Sequence, residues 1–290
     1  ALAAAFLIPG SPAWASPDVQ LEPQRVDVAG TSIAYAEIGE GPPLLMLNGT
    51  ASPMNEWDPA LLRSLAQQHR VIVLDYPGLG LSGSAPSTWD FSAAAGWMAE
   101  FIHVVSPLEP VDVLGWSMGG FIAQRLAIEY PQTVHRLVLA STNPGGKQAV
   151  LGPRWVQRAD SRGGISAYLR TNYPADQRNA GDRFISRLHE AVASGRYPQE
   201  SVPSATRRAM VRAEDPWLRD DMNVHDLQGV RARTLVITGA MDVITPPINS
   251  RVIARSIPDA ELELLPDAGH SFLFQRPVNV ARIVSDFLRQ

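Results

Sequence analysis

The sequence predicts an α/β fold: a mostly parallel central sheet flanked by helices, interrupted by an inserted helical cap. From Arg25 onward, short β-rich runs alternate with longer stretches of helical spacing, as in a parallel sheet covered on both faces. The runs Pro43 to Leu47 and Val71 to Leu74 are continuously apolar, as strands buried on both sides must be. Between Asn143 and Asp226 this rhythm stops, and roughly eighty residues of helical spacing follow, too many for a simple crossover.

Taken in order, Arg25 to Val28 and Thr31 to Ala36 form an opening hairpin around Ala29-Gly30. Pro43 to Leu47 is a strand leading into the loop Asn48-Gly49-Thr50, and a helix follows near Pro59 to Gln68. Val71 to Leu74 ends at Asp75 and a glycine-rich turn, and the next helix runs from about Phe91 to Val105. Val111 to Leu114 is a short central strand that stops at Gly115. The helical pattern of Phe121, Ile122, Leu126 and Ala127 begins at once, so the chain must turn sharply at Ser117. Val134 to Leu139, Arg233 to Thr238 and Glu261 to Leu265 complete the strands, with helices near Pro247 to Ser256 and Val278 to Leu288. The expected division is a core of residues 16–142 and 227–290 around a cap of residues 143–226. The cap carries Trp155, Tyr168, Tyr173, Phe184, Tyr197 and Trp217.

At 290 residues the chain can bury one large core. A net charge of −4 without a basic stripe argues against nucleic acid and suits a small neutral substrate. Of the 25 basic residues only Lys147 is a lysine, which points to no chemistry. The absence of cysteine excludes thiol catalysis, disulfides and cysteine-ligated metals, and no HExxH pattern is present. Residues 1–15, ALAAAFLIPGSPAWA, are apolar and uncharged and end in Ala13-Trp14-Ala15, as the core and cleavage site of a secretory signal do. The expected location is therefore secreted or periplasmic. That run is too short to span a bilayer, so no stable membrane insertion is expected.

Gly115-Trp116-Ser117-Met118-Gly119 is a G-x-S-x-G pentapeptide between a predicted strand and a predicted helix, where small residues permit a tight turn that raises the serine hydroxyl. A serine hydroxyl is a weak nucleophile and needs a neighbouring base, usually a histidine held by a carboxylate. Of the six histidines, His69 and His103 lie in or beside helices before the turn, His135 starts a strand, and His189 and His225 fall in the cap. His270 follows the last strand, in a loop at the same carboxyl edge of the sheet as Ser117, and is the candidate base. Asp242, in the loop after the strand ending at Thr238-Gly239, is the candidate acid, with Asp267 as the alternative. A tetrahedral oxyanion needs two donors. The backbone N–H groups of Met118 and Thr50 are the candidates. Trp116, Trp155 and Trp217 are the candidate substrate-pocket residues. The glycine-rich run Asp75 to Gly83 lacks the lysine of a phosphate loop and reads as structural.

Five segments, LLMLNGT (44–50), VIVLDYPGLGLSG (71–83), LGWSMGGFIAQRLA (114–127), TLVITGAMDVITP (234–246) and DAGHSFLFQRP (267–277), stand in an order that resembles the α/β-hydrolase superfamily. The likeness is to its capped esterase, lactonase and cofactor-free haloperoxidase-like branch. It covers about residues 25 to 290 and is weakest in the cap. The resemblance implies Ser117 as nucleophile, His270 as base, Asp242 as acid, the amides of Thr50 and Met118 as oxyanion donors, and no cofactor or metal. Asn48-Gly49 departs from the family's His-Gly, which leaves a backbone donor intact but changes the loop's side-chain bonds. Serine at 117 argues against the dehalogenase and epoxide-hydrolase relatives, which use aspartate there. The expected activity is hydrolysis of a small-molecule carboxylic ester. Lactone or carbon–carbon hydrolysis, and a non-catalytic binding module, are the alternatives.

Overall fold

A computed structural model of the chain describes residues 19–85, 89–162 and 164–290; the expected signal-like segment 1–15 lies outside the described residues. Strand β1 (Gln24–Val28) pairs antiparallel with β2 (Thr31–Ile38). Positive φ at Ala29 and Gly30 gives the tight turn a right-twisted hairpin requires. β3 (Pro43–Leu47), β4 (Arg70–Leu74), β5 (Val111–Trp116), β6 (Val134–Ala140), β7 (Arg233–Gly239) and β8 (Ala260–Leu265) complete, among the described residues, one eight-stranded sheet in the order β1-β2-β4-β3-β5-β6-β7-β8. The pairs β1/β2 and β2/β4 are antiparallel and all others parallel.

Alternate side chains of the central strands feed two separate cores. Leu45, Leu47, Val113, Leu137 and Leu139 face helices α2 (Phe91–Val105) and α3 (Met118–Glu129). Leu44, Met46, Leu114, Val138 and Ala140 face α1 (Pro59–Leu65) and the C-terminal helices. This two-sided burial is why the strands read as continuous apolar runs. Helix starts are chemically marked: the Asp58 side chain accepts from the Ala60 amide ahead of α1, and Asp90 accepts from Ala93 at 2.7 Å ahead of α2. α1 stops at Leu65, three residues short of the expected Gln68, while β5 runs on to Trp116.

Between β6 and β7 the chain forms α4 (Arg154–Arg162), α5 (Ile165–Asn172), α6 (Arg178–Ala193), α7 (Ser204–Arg219) and α8 (Met222–Asp226). α9 (Ile248–Ser256), the short α10 (Phe272–Gln275) and α11 (Pro277–Leu288) follow. Polar anchors at its two sides help hold the helical segment to the sheet layers. Arg187 of α6 grips the fully buried Asp58 through both carboxylate oxygens, with Nε to Oδ1 at 2.9 Å. At the other end, Arg125 of α3 pairs with Asp220 at 2.7 Å and Asp226 at 3.3 Å. Among the described residues no helix is long and apolar enough to cross a membrane.

Candidate active site

The parallel strands bring the expected residues to one sheet edge. β5 delivers Ser117, β7 leads to Asp242, β8 leads to His270, and β3 leads to Asn48-Gly49-Thr50. Ser117 sits at φ 54°, ψ −120°, a backbone state that L-residues avoid and that persists only where surrounding structure enforces it. The enforcement is steric. A Cβ on Gly115 would overlap the Gly119 carbonyl, and one on Gly119 would overlap the Leu47 carbonyl, so only glycine lets strand, turn and helix approach this closely. The Ser117 amide donates to the Ala140 carbonyl at 2.9 Å, and its carbonyl accepts the Thr142 hydroxyl at 2.9 Å.

The Ser117 hydroxyl lies 3.1 Å from His270 Nε2, and His270 Nδ1 lies 2.9 Å from Asp242 Oδ2. Both Asp242 and His270 are buried, whereas Ser117 is partly open. Asp242 is held by its own loop: Oδ1 accepts the amides of Ile244 at 2.8 Å and Thr245 at 2.9 Å, leaving Oδ2 for the imidazole. The Thr245 hydroxyl also donates to Oδ2 at 2.8 Å and lies 3.2 Å from His270 Nδ1. Sequence reading missed Thr245. Its signal was its place just beyond an aspartate, the spacing of a side-chain-braced turn.

The histidine loop is clamped from three sides. The Trp116 indole donates to the His270 carbonyl at 3.1 Å, Gln275 accepts the Gly269 amide at 3.2 Å, and Ser271 donates to Asn172 of α5 at 2.8 Å. The alternative acid Asp267 is exposed and occupies a left-handed turn at φ 54°, while Asp242 takes the position beside the imidazole. The remaining histidines serve elsewhere; His69, for example, is buried 3.1 Å from Ser285.

The Met118 amide opens α3, so the helix itself has no carbonyl to offer it and its dipole favours negative charge there. The loop after β3 runs beside the serine: a Cβ on Gly49 would stand 3.6 Å from that of Ser117. Asn48, the departure from His-Gly, braces this loop by accepting the Gly49 amide at 3.0 Å and donating to the Pro53 carbonyl at 2.9 Å.

Two of the three expected pocket tryptophans are placed differently from the expectation. Trp217 is a core residue: it stacks on Phe121 at 4.9 Å, meets Phe91 edge-on, and donates to Asn143 at 2.9 Å, leaving its ring no open face to offer. Trp116 is packed between Trp57, Phe274 and His270, so it braces the histidine loop from within the core rather than walling an open pocket. Trp155, on α4, is 43% exposed.

A second buried acid group lies at the same edge. Asp75, just past β4, accepts the Met54 amide on Oδ1 and the Leu81 amide on Oδ2, each at 2.7 Å, and is hydrogen-bonded to Glu200. Glu200 comes from the loop between α6 and α7 and accepts the Asn55 amide at 3.0 Å. Burial raises the Asp75 carboxyl above the usual range, and burial together with the Asp75 charge pushes Glu200 up to about 9. Glu56, nearby, is also raised by burial. No group of three or more metal-ligating side chains occurs among the described residues.

A family model described as the alpha/beta hydrolase fold matches residues 42–277. The chain is 29% identical to a pimeloyl-[acyl-carrier protein] methyl ester esterase of Nitrosomonas europaea, over 83% of this chain and 93% of that protein. It is 30% identical to a 2-hydroxymuconate semialdehyde hydrolase of Pseudomonas putida, over 95% of this chain and 96% of that one. Among solved structures, an alpha/beta hydrolase fold protein from Chitinophaga pinensis superposes with a TM-score of 0.78 at 24% identity, covering 92% of this chain and 97% of that one. With the family model spanning most of the sheet and both chain segments that flank the helical insertion, the chain belongs to the α/β-hydrolase fold family.

Proposed function

We propose that the protein is a serine hydrolase that cleaves small-molecule carboxylic esters through an acyl-enzyme. The observation that carries this reading is the unbroken chain of contacts from Ser117 Oγ through the His270 ring to Asp242 Oδ2. In it, His270 Nε2 takes the serine proton as the oxygen attacks the ester carbonyl, then delivers it to the leaving alcohol. Asp242 holds the ring so that Nδ1 carries the proton, and stabilises the imidazolium that forms. The amides of Met118 and Thr50 receive the oxyanion of the tetrahedral intermediate. Water activated by His270 then releases the acid, and no metal or cofactor enters the reaction. Residues 143–226 act as a cap over this edge of the sheet, with Trp155 at its exposed side. The esterase relative supports ester hydrolysis as the leading activity.

A second reading, hydrolysis of a carbon–carbon bond by the same residues, is favoured by the semialdehyde hydrolase relative. Assay of p-nitrophenyl esters of graded acyl length beside lactones and 2-hydroxymuconate semialdehyde separates the readings. Turnover of esters with a clear acyl-length optimum is expected. Turnover of the semialdehyde alone would replace the ester reading by the second one, and turnover of nothing, with no labelling of Ser117, would favour a binding protein.

A further inference from the structure

Thr50 is held by a residue far away in sequence. Its hydroxyl donates to Glu214 Oε1 at 2.9 Å, across the boundary between the β3 loop and α7. The neighbouring residues of that loop are fixed by the core: Asn48 by the contacts already described and by the Tyr76 hydroxyl on its carbonyl at 3.0 Å, and Gly49 by its approach to Trp116 and Ser117. Beyond Thr50 the backbone is strained, with Ala51 at φ 54°, a state alanine rarely adopts. Across this turn the backbone is closed by the Ser52 amide on the Gly49 carbonyl, a long bond of 3.3 Å. Thr50 therefore sits between a fixed residue and a strained one, where a side-chain tether has the most leverage on its φ and on the direction of its N–H.

α7 is well placed to supply that tether. Its inward face, Thr206, Met210, Ala213 and Trp217, is buried, so the helix cannot roll, and Glu214 follows Ala213 directly. The contact also commits the Thr50 hydroxyl proton to the carboxylate, leaving the backbone amide as the other donor of this residue.

Resting on the ester-hydrolase reading above, we propose that Glu214 is a positioning residue: through Thr50 Oγ1 it holds the β3 loop in the conformation that aims the residue-50 amide at the oxyanion, and so links the seating of α7 to turnover. The interaction matters only once charge develops on the substrate oxygen, so its loss falls on kcat rather than KM.

The test is steady-state kinetics on one p-nitrophenyl ester for wild type, Glu214→Ala, Glu214→Gln, Thr50→Val and the Glu214→Ala/Thr50→Val double variant, each with its melting temperature. Glu214→Ala is expected to lower kcat by roughly tenfold with KM within about twofold, a fraction of what deleting an oxyanion donor costs. Glu214→Gln, whose amide oxygen still accepts the hydroxyl, recovers at least half of that loss. Thr50→Val, which keeps the backbone amide and the branched shape, reproduces the loss, and the double variant adds nothing to it. Unchanged kcat in Glu214→Ala, a loss confined to KM or melting temperature, failure of Glu214→Gln to recover, or additive losses in the double variant would each overturn the proposal. Should Glu214→Ala fail to fold, Thr50→Val and Glu214→Gln decide it alone. Ser117→Ala, run in parallel, keeps the two levels apart: an active Ser117→Ala protein sinks the hydrolase reading, whereas an inactive one beside a wild-type-like Glu214→Ala sinks only the positioning role.

Discussion

Asp242 and Asp75 both follow the carboxyl ends of parallel strands, β7 and β4, both are buried, and both accept two backbone N–H bonds. In Asp242 the two amides converge on Oδ1, so Oδ2 is left for His270 and the Thr245 hydroxyl. In Asp75 each oxygen takes one amide, and the carboxyl interacts with another carboxyl, Glu200. Burial and strand position are thus shared, and the distribution of the amides differs. One arrangement leaves an oxygen to orient an imidazole. The other uses both oxygens to fasten the loops at Met54 and Leu81 and the segment at Glu200.

The largest expected effect is at Ser117, whose hydroxyl meets His270. Ser117→Ala is expected to lower kcat by at least about a thousandfold while the melting temperature stays near that of wild type. Retention of a few per cent of activity in a clean preparation would place the nucleophile elsewhere. Asp242→Asn comes next. Its Oδ1 can still accept both amides, so folding is preserved, but an NH2 group now faces His270 Nδ1 and favours the wrong tautomer. The expected loss in kcat is on the order of a thousandfold or more, read against little change in melting temperature.

Asp75→Asn sharpens the contrast by reversing it. An asparagine must turn its NH2 group toward one of two amides that also donate, leaving a buried donor unsatisfied, so a stability loss of about 1–3 kcal/mol is expected in chemical denaturation. The folded fraction should keep most of its kcat. A larger effect on kcat than on stability would make Asp75 part of the chemistry.

Glu200 adds a pH dependence to the contrast. Glu200 is raised to about 9 in the folded state against an ordinary value of 4.5, so the folded protein binds this proton more tightly than the unfolded chain. Its contribution is fully present below the unfolded value and is lost as pH rises through the folded one. The melting temperature should therefore decline between about pH 5 and pH 9. Glu200→Gln, which keeps a donor toward Asp75 without a titrating proton, should flatten that decline; an equal slope in both proteins would remove Glu200 from the account.

The parts of this molecule that a sequence displays are those governed by short-range rules. The sheet was legible because strands such as Leu44 to Leu47 are buried on both faces and carry no polar alternation. The sharp turn at Ser117 was legible because Gly115 and Gly119 flank the serine in one short pattern, although the steric demand on Gly119 comes from the sequence-distant Leu47 carbonyl. His270 and Asp242 could be chosen because each follows a readable strand, which fixes the sheet edge on which it falls. Contacts between distant segments left no such mark. The Thr50–Glu214 and Asp75–Glu200 pairs join residues with no local pattern between them. Trp217 shows the same limit from the other side. An aromatic residue in a helical insertion looks the same in sequence whether it faces a ligand or a neighbouring helix, and here Phe91 and Phe121 take it into the core.

Reaction with a fluorophosphonate probes the proposed nucleophile itself, because the reagent requires an activated serine hydroxyl and the donors that stabilise its tetrahedral adduct. Intact-mass measurement of the treated wild-type protein should show one phosphonyl group, and peptide mapping should place it on Ser117. The adduct should be absent from Ser117→Ala and strongly slowed in His270→Ala. An unmodified wild-type protein, or an adduct on any other residue that persists in Ser117→Ala, would contradict the assignment of Ser117, His270 and Asp242 as the reacting group.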